Sequence, residues 1–284
     1  MIDKPGIYDI PLTDYIADPA PEPSLSASIA SVLISQSPLH AFVQHPRLNP
    51  GGLREESTKA DIGTIAHGML LENDESRIVV IDADDWRTKA AKEARDAAYE
   101  SGKVPMLAKQ ERPIRKMVEE ARKAIQNSEL AEAWANGKAE QTLIWKEGEI
   151  WLRSRPDWLA NDHSLIIDLK TTTGSAEPMA WMRTMLGLGN DLQAVLGLRG
   201  IKAISPKSRC QFVFWVVEQD APYASSFVGL SPQFLEMSEH KMERAIRDWS
   251  DCITTNTWPG FPGRVCWLEP PAYAWTAEQL KGLP

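Results

Sequence analysis

A mixed α/β fold, with a helical N-terminal half and a central sheet flanked by helices, is predicted by three features of the sequence. Apolar residues recur at helical spacing through residues 109–126, where Ile114, Met117, Val118, Ala121 and Ile125 form one stripe. Near Glu140 the pattern turns strand-like, and Leu165, Ile166 and Ile167 form a continuous apolar run suited to an interior strand. Helical patterns return around Gln193 and over residues 232–252, so helix and strand mix within one core.

Taken in order, residues 1–23 hold Pro5, Pro11, Pro19, Pro21 and Pro23 and are expected to form an extended arm. Residues 24–284 are read as a single domain, helical over 24–139, with a sheet core over 140–230 and a C-terminal helix and tail over 231–284. The first helix starts after Ser24 or Ser26, whose hydroxyls suit an N-cap, and carries Ile29, Val32 and Leu33. Ser37-Pro38 ends it and begins a short second helix. Residues 45–60 are rich in Pro, Gly and charge and read as a loop, after which Ile62, Ala66 and Leu70 mark a helix from about Asp61. Two more helices fit residues 86–99 and 109–126. Strands are expected at 141–146, 150–155, 165–170, 212–217 and 224–228, the first two joined by the Lys146-Glu147-Gly148-Glu149 turn.

Composition narrows the class. No run of 18 apolar residues occurs, and acidic residues Asp3, Asp9, Asp14 and Asp18 occupy the N-terminal stretch, so neither a membrane span nor a signal peptide is expected. Three separated cysteines, Cys210, Cys252 and Cys266, read as reduced residues of a cytoplasmic protein and are too few for an iron–sulfur cluster. A net charge of −8 weighs against nucleic acid, whose backbone is bound largely by Lys and Arg. The positive residues between Arg87 and Lys123 are interleaved with Glu and Asp at helical spacing, as on a solvated face.

Chemistry concentrates in Arg155-Pro156-Asp157-Trp158 and Ile167-Asp168-Leu169-Lys170. On a strand Asp168 and Lys170 project to one side and Leu169 to the other, leaving the Leu169 carbonyl available to a metal. Charges at the end of an interior strand are costly unless compensated, and a divalent cation would compensate both carboxylates. Hard oxygen ligands suit Mg²⁺, with Mn²⁺ as a substitute, and the chemistry that fits is phosphodiester hydrolysis. Lys170 would orient the attacking water or stabilise the developing anion. The alternative is a strand-end ion pair between Asp168 and Lys170, with Asp157 a turn residue. His67 is either a core residue or a ligand, and Glu140 either a solvated helix-end residue or a water-positioning base. Ser28 and Ser37 are either helix caps or, at helix starts with free amides, phosphate-binding residues.

An ordered set of motifs bears on these choices: Ser26-Ala27-Ser28, Ser37-Pro38, Gly63-Thr64 with His67 and Leu70-Leu71-Glu72, Glu140, Arg155-Pro156-Asp157-Trp158, Ile167-Asp168-Leu169-Lys170-Thr171-Thr172 and Gln193. Over about residues 24–230 the set resembles the nuclease domain of RecE-like exodeoxyribonuclease VIII, in the RecB-like branch of the PD-(D/E)xK superfamily. The resemblance implies a restriction-endonuclease-like core, with metal held by His67, Asp157, Asp168 and the Leu169 carbonyl. Lys170 would then be catalytic, Glu140 would support the site and Gln193 would touch site or substrate. It further implies Mg²⁺-dependent degradation of the 5′-ended strand of linear double-stranded DNA to 3′ overhangs for recombination. The implied assembly is a homo-oligomeric ring acting at DNA ends, with a single-strand annealing recombinase as partner. One departure stands out: the family's QxxxY pattern has Gly197 in place of Tyr after Gln193. Two other readings of the same core are an endonuclease and a catalytically weak DNA-binding protein.

Overall fold

The structure, a computed structural model, describes residues 1–51 and 62–271. The N-terminal stretch packs, where an extended arm is expected: it forms β1 (Gly6–Tyr8) and α1 (Leu12–Ile16). Helix α2 (Ala27–Ser35) begins at Ser26, whose hydroxyl accepts the Ile29 amide at 3.5 Å, and α3 (Pro38–Gln44) follows Ser37. The expected helix start at Asp61 and the end of the expected loop lie outside the described residues. Helix α4 (Ile62–His67) runs directly into a π-helical turn, Gly68–Glu72, ended by Asn73 in the left-handed conformation at φ 50°. Strand β2 (Ile78–Ile81) precedes α5 (Lys89–Glu100), which starts after Thr88 because the Thr88 hydroxyl accepts the Ala91 amide at 3.2 Å. Then come β3 (Val104–Leu107), α6 (Ala108–Gln126) and α7 (Ala131–Ala135).

The second half contains β4 (Gly137–Ala139), β5 (Thr142–Glu147), β6 (Ile150–Ser154), β7 (Trp158–Ala160) and β8 (Leu165–Thr172). It continues with α8 (Pro178–Leu188), α9 (Asn190–Ile204), β9 (Gln211–Glu218), β10 (Ser225–Gly229) and α10 (Pro232–Thr255). A five-stranded sheet has the order β10-β9-β8-β7-β4, and a three-stranded sheet the order β1-β5-β6. Strands β8 and β9 are parallel, with Asp168 beside Phe214 and Lys170 beside Val216, and α8 and α9 supply the long crossover that parallel pairing requires. The pairs β7/β8, β4/β7 and β9/β10 are antiparallel, which makes the sheet mixed.

Strand alternation divides the core across this sheet. Ile166, Phe212, Phe214 and Val216 face a cluster with Leu25, Ile29, Trp181, Val195, Met242 and Trp249 from α2, α8, α9 and α10 and the residues around them. Ile167, Leu169, Trp215 and Val217 face a second cluster with Ile65, Met69, Ile114, Met117 and Ile125 from α4, the π-helical turn and α6. Asp168 and Lys170 share the Ile166 side, each flanked along the strand by residues of the other side. Among the described residues no helix is long and apolar enough to cross a membrane.

The arm is fastened by a buried ionic cluster. Asp18, in the left-handed conformation at φ 65°, accepts the Ser24 amide at 2.8 Å and the Ser24 hydroxyl at 2.6 Å. Its carboxylate also lies 3.3 Å from His45 and 3.3 Å from Arg153, which is 3% exposed. Burial opposes its charge, but the His45 and Ser24 hydrogen bonds and the Arg153 charge outweigh it and hold the carboxyl below its ordinary 3.8. Asp18→Asn tolerates the left-handed backbone yet leaves Arg153 without its counter-charge, at an expected cost of about 3 kcal/mol. Because the folded value is depressed, this stabilisation is present above the unfolded pKa and is lost as pH falls through the folded one. Denaturant unfolding should therefore show a wide gap between wild type and Asp18→Asn at neutral pH that narrows in acid. A pH-independent gap would contradict the ionic account.

Candidate active site

The chain changes sheets twice, at adjacent points. Between β4 and β5 it leaves the five-stranded sheet for the three-stranded one through Glu140 and Gln141; between β6 and β7 it returns through Arg155, Pro156 and Asp157. Pro156 has no amide to continue a ladder, and Glu140 takes a left-handed conformation at φ 58° that is costly for a residue with a Cβ. The Glu140 amide donates to the Asp157 carbonyl at 3.0 Å, so the two crossings are hydrogen-bonded together. Strained backbone at a cluster of charged side chains is a common mark of a functional site.

Several side chains converge on this seam. Asp157 accepts the Leu169 amide at 2.7 Å, which holds its carboxylate against the side of β8. His67, the last residue of α4, brings Nε2 to 3.2 Å from Asp157 Oδ1 and 3.2 Å from Glu140 Oε1. The other Glu140 oxygen accepts Arg155 Nε at 2.5 Å, and Arg155 Nη1 donates to the Thr142 hydroxyl at 2.7 Å and to the Ile10 carbonyl at 2.9 Å. Tyr15 of α1 lies against the guanidinium groups of both Arg153 and Arg155. On β8, Asp168 is 1% exposed and closely paired with Lys170.

Burial and neighbouring charge set the two aspartates apart. Burial opposes the charge on Asp157, but the His67 hydrogen bond and charge, then Lys170 and the Leu169 amide, hold its carboxyl below the usual range. Asp168 is pushed up to about 7, first by burial and then by the Asp157 charge, against the opposing pull of Lys170. Burial also raises Glu140 despite His67 and Arg155. For His67 burial works against protonation, and the Asp157 hydrogen bond and charge, followed by Glu140 and Asp168, overcome it and raise the imidazole above 6.5.

A cleft of about 1340 Å³ opens over these groups. Its lining includes His67, Glu140, Asp157, Leu169, Lys170, Ser28 and Gln193, which the sequence singles out, and also Glu72, Arg155 and the arm from Asp9 to Thr13. Ser37 is not brought there: it is buried at the start of α3, and its hydroxyl bonds the His40 ring at 2.7 Å. Ser28 pairs with the Ser26 hydroxyl at 3.0 Å on the cleft side of α2. Gly197 is not a slot left for an aromatic ring. A Cβ there would already lie 3.2 Å from Ile166 and 3.4 Å from Phe212, so the glycine lets α9 approach the sheet closely.

Sequence reasoning gave no separate role to Glu72, Arg155 or Tyr15. Residues five apart on a regular α-helix diverge by about 140°, which hides Glu72 from His67. The π-helical turn, with its i→i+5 bonding, narrows that divergence, and one ligand atom from each of His67, Glu72 and Glu140 lies within 4.8 Å of the others. The donors are an imidazole nitrogen and carboxylate oxygens, and buried carboxylates crowd a few cations. That chemistry fits a divalent metal ion. Asp157 and His67 meet directly, whereas Lys170 covers the Asp168 carboxylate.

A Pro-Asp turn beside an Asp-x-Lys strand, on a mixed sheet between helical layers, defines the PD-(D/E)xK class of fold. The chain belongs to the family described as a PDDEXK-like domain of unknown function (DUF3799), whose model matches residues 34–268. It is similar in structure to a "Putative exonuclease" from Eubacterium rectale solved at 2.19 Å, with a TM-score of 0.58 and 13% identity over 95% of this chain and 99% of that one. That likeness supports the fold. A second structure, of SSO0001, aligns over 72% of this chain and 91% of that one at 12% identity and a TM-score of only 0.28. No curated protein matches the chain in sequence.

The His67 geometry leads to a direct test in the metal-free protein. An NMR titration should place its imidazole midpoint above 6.5, and Asp157→Asn should lower it. Since the folded value is raised, the associated stabilisation is full below the unfolded pKa and is lost as pH rises through the folded midpoint. A midpoint unmoved by Asp157→Asn would show that Asp157 does not sustain the charge.

Proposed function

We propose that this chain is a metal-dependent exodeoxyribonuclease that degrades the 5′-ended strand of linear double-stranded DNA and leaves 3′ overhangs for recombination. The observation that carries the reading is the convergence of His67, Glu140, Asp157 and Lys170 on one cleft, with the buried Asp168 paired to Lys170. A bound Mg²⁺ or Mn²⁺ would supply charge neutralisation at the scissile phosphate and acidify a water. His67, Asp157, Asp168 and the Leu169 carbonyl are the residues to hold it. Lys170 has donors but no lone pair, so its part is to orient the attacking water and stabilise the phosphate oxygens. Glu140, fixed by Arg155, is placed to accept a proton from water.

Ser28 and Gln193 extend the reading to the substrate. Ser28 lies in the first turn of α2, where unpaired amides favour an anion, and its hydroxyl faces the cleft; this suits a terminal 5′-phosphate. Gln193 offers both donor and acceptor from α9. Ser37, whose hydroxyl is bonded to the His40 ring outside the cleft lining and caps no helix amide, is given no part in substrate binding. A homo-oligomeric ring around DNA would keep an acidic subunit, of net charge −8, on its substrate by enclosure instead of attraction. A single-strand annealing recombinase is the partner that a 3′ overhang would serve.

Linear duplex labelled at either end should be digested in Mg²⁺ from its 5′ termini, faster with a 5′-phosphate than with a 5′-hydroxyl. Covalently closed circles should survive; their cleavage would identify an endonuclease instead. Asp157→Ala and Asp168→Ala should remain folded and lose cleavage, and wild-type turnover by either would refute the site. Lys170→Ala should slow single-turnover cleavage by about 10²–10³-fold while DNA binding in Ca²⁺ changes little. Unchanged chemistry would make Lys170 only the ion-pair partner of Asp168.

A further inference from the structure

We propose that Arg77 and Lys103, side by side at the head of the paired strands β2 and β3, bind internal phosphates of the 5′-ended strand as it leaves the charged cluster. That the ligand is DNA rests on the nuclease reading; the geometry that singles out the two cations does not. Of the Lys, Arg and His side chains lining the cleft, His67 contacts Glu140 and Asp157, Arg155 is bonded to Glu140, and Lys170 is paired with Asp168. Arg77 also lines the cleft, and among the described residues it has no carboxylate at ion-pair distance. Asp74, three residues before it, is engaged elsewhere: it accepts the Ser76 amide at 2.8 Å.

Strand register places a second cation beside the first. Strands β2 and β3 run parallel, with Ile78 opposite Val104, so Arg77 and Lys103 each stand one residue before the first pair. Both are exposed, and Lys103 likewise has no carboxylate partner among the described residues. Like charges at facing positions of neighbouring strands repel. On the adjacent helix α6 such charges are neutralised, since Arg115, Lys116 and Lys123 are each paired with glutamates. A phosphate between Arg77 and Lys103 would relieve their repulsion, and it is the anion that both side chains bind well. The backbone beneath them is already fixed. The Arg77 carbonyl accepts the Val104 amide at 2.7 Å, and the Lys103 amide donates to the Ala98 carbonyl at 2.9 Å. Arg115 and Arg122 of α6 hold the turn before β2 through Glu75 at 2.9 Å and Asn73 at 3.0 Å.

Their place in the fold gives the strand a path. Ile78 and Val104 pack against the layer that holds α4 and α6, whereas α2, with Ser28, belongs to the layer on the other face of the sheet. Ser28, the seam residues Asp157 and Lys170, and Arg77 all line one cleft. A strand with its 5′-phosphate at Ser28 and its scissile phosphate at the seam therefore continues onto Arg77 and Lys103. Contacts of this kind hold the strand in register without reading its bases.

The test is binding of 5′-phosphorylated duplex by the full chain in Ca²⁺, followed by fluorescence anisotropy across a salt series. Wild type is compared with Arg77→Gln, Lys103→Gln, the double variant and Lys116→Gln, all exposed positions, with circular dichroism as the check on folding. The double variant should bind about tenfold more weakly near physiological salt, and its slope of log affinity against log salt should be shallower by about 2. Lys116→Gln removes a cation already paired with Glu119 and Glu120 and should stay near wild type in both. A neutral methylphosphonate moved along the internal linkages of the 5′-ended strand should weaken wild type at about one or two of them and have no effect there in the double variant. Wild-type affinity and slope in the double variant would overturn the phosphate contact. An equal loss in Lys116→Gln would overturn it too, by making the effect one of overall charge. In either case digestion of linear duplex by wild type in Mg²⁺ would leave the nuclease reading standing, whereas a wild type that neither bound nor digested DNA would overturn both.

Discussion

The hydrogen bond from the Glu140 amide to the Asp157 carbonyl joins two places where the chain passes between sheets, and most of the chemistry hangs on that junction. Neither crossing could be an ordinary ladder continuation. Pro156 lacks the donor, and left-handed Glu140 turns its side chain out of the strand alternation. Each crossing therefore delivers a carboxylate to the seam instead of to one face of a sheet. Because β7 is antiparallel to β8, with Trp158 opposite Ile167, the second crossing also brings Asp157 level with the Asp168 region of β8. The position of the site thus follows from topology, and the side chains then have to live with one another.

Their coexistence is an electrostatic problem. Asp168 lies on an interior strand between hydrophobic neighbours, where an isolated charge is expensive, and Lys170 two residues along is the nearest compensation that strand alternation can supply. Asp157 is compensated differently, by His67 and a backbone amide. Two carboxylates in such different surroundings separate in proton affinity, one depressed and the other raised to about 7. In the absence of metal the cluster balances itself with protons and Lys170. A metal ion bound there would have to displace both, which would link its affinity to pH and to movement of the lysine.

Much of this was legible in the sequence where a local signal was strong. The strands at 141–146, 150–155, 165–170, 212–217 and 224–228 are found within two residues of their expected limits, because β-branched and aromatic runs bounded by turns leave little alternative. Strands β4 and β7 have three residues each, too few for alternation to register, and they are strands because β8 offers an edge to β7 and β7 in turn offers one to β4. The π-helical turn has no pattern of its own, so Glu72, although it stands in the motif set, was given no role. Prolines suggested an unpacked arm, yet Pro11 can precede a helix as readily as prevent one, and the buried Asp18 that fastens the arm finds Arg153 some 135 residues away. Long-range ionic pairing of this kind leaves no local trace.

The arm also changes how the cleft should be understood. The family match begins at residue 34, so β1, α1 and most of α2 lie before it, while His67, Glu140, Asp157, Asp168 and Lys170 lie within it. One wall of the cleft nevertheless comes from residues 9–13 and from Tyr15, Ile16 and Ser28. Arg155 binds the two parts together: one of its nitrogens meets the Ile10 carbonyl, another meets Glu140, and its planar group lies against Tyr15. A guanidinium suits that task because its donors are fixed in one plane, so a shift of the arm must tilt the fork that holds Glu140. Glu140 in turn contacts His67, which contacts Asp157. The wall of the cleft formed by the arm and the charged cluster are thus a single hydrogen-bonded unit, and the geometry of the cluster depends on a segment that contributes none of its carboxylates.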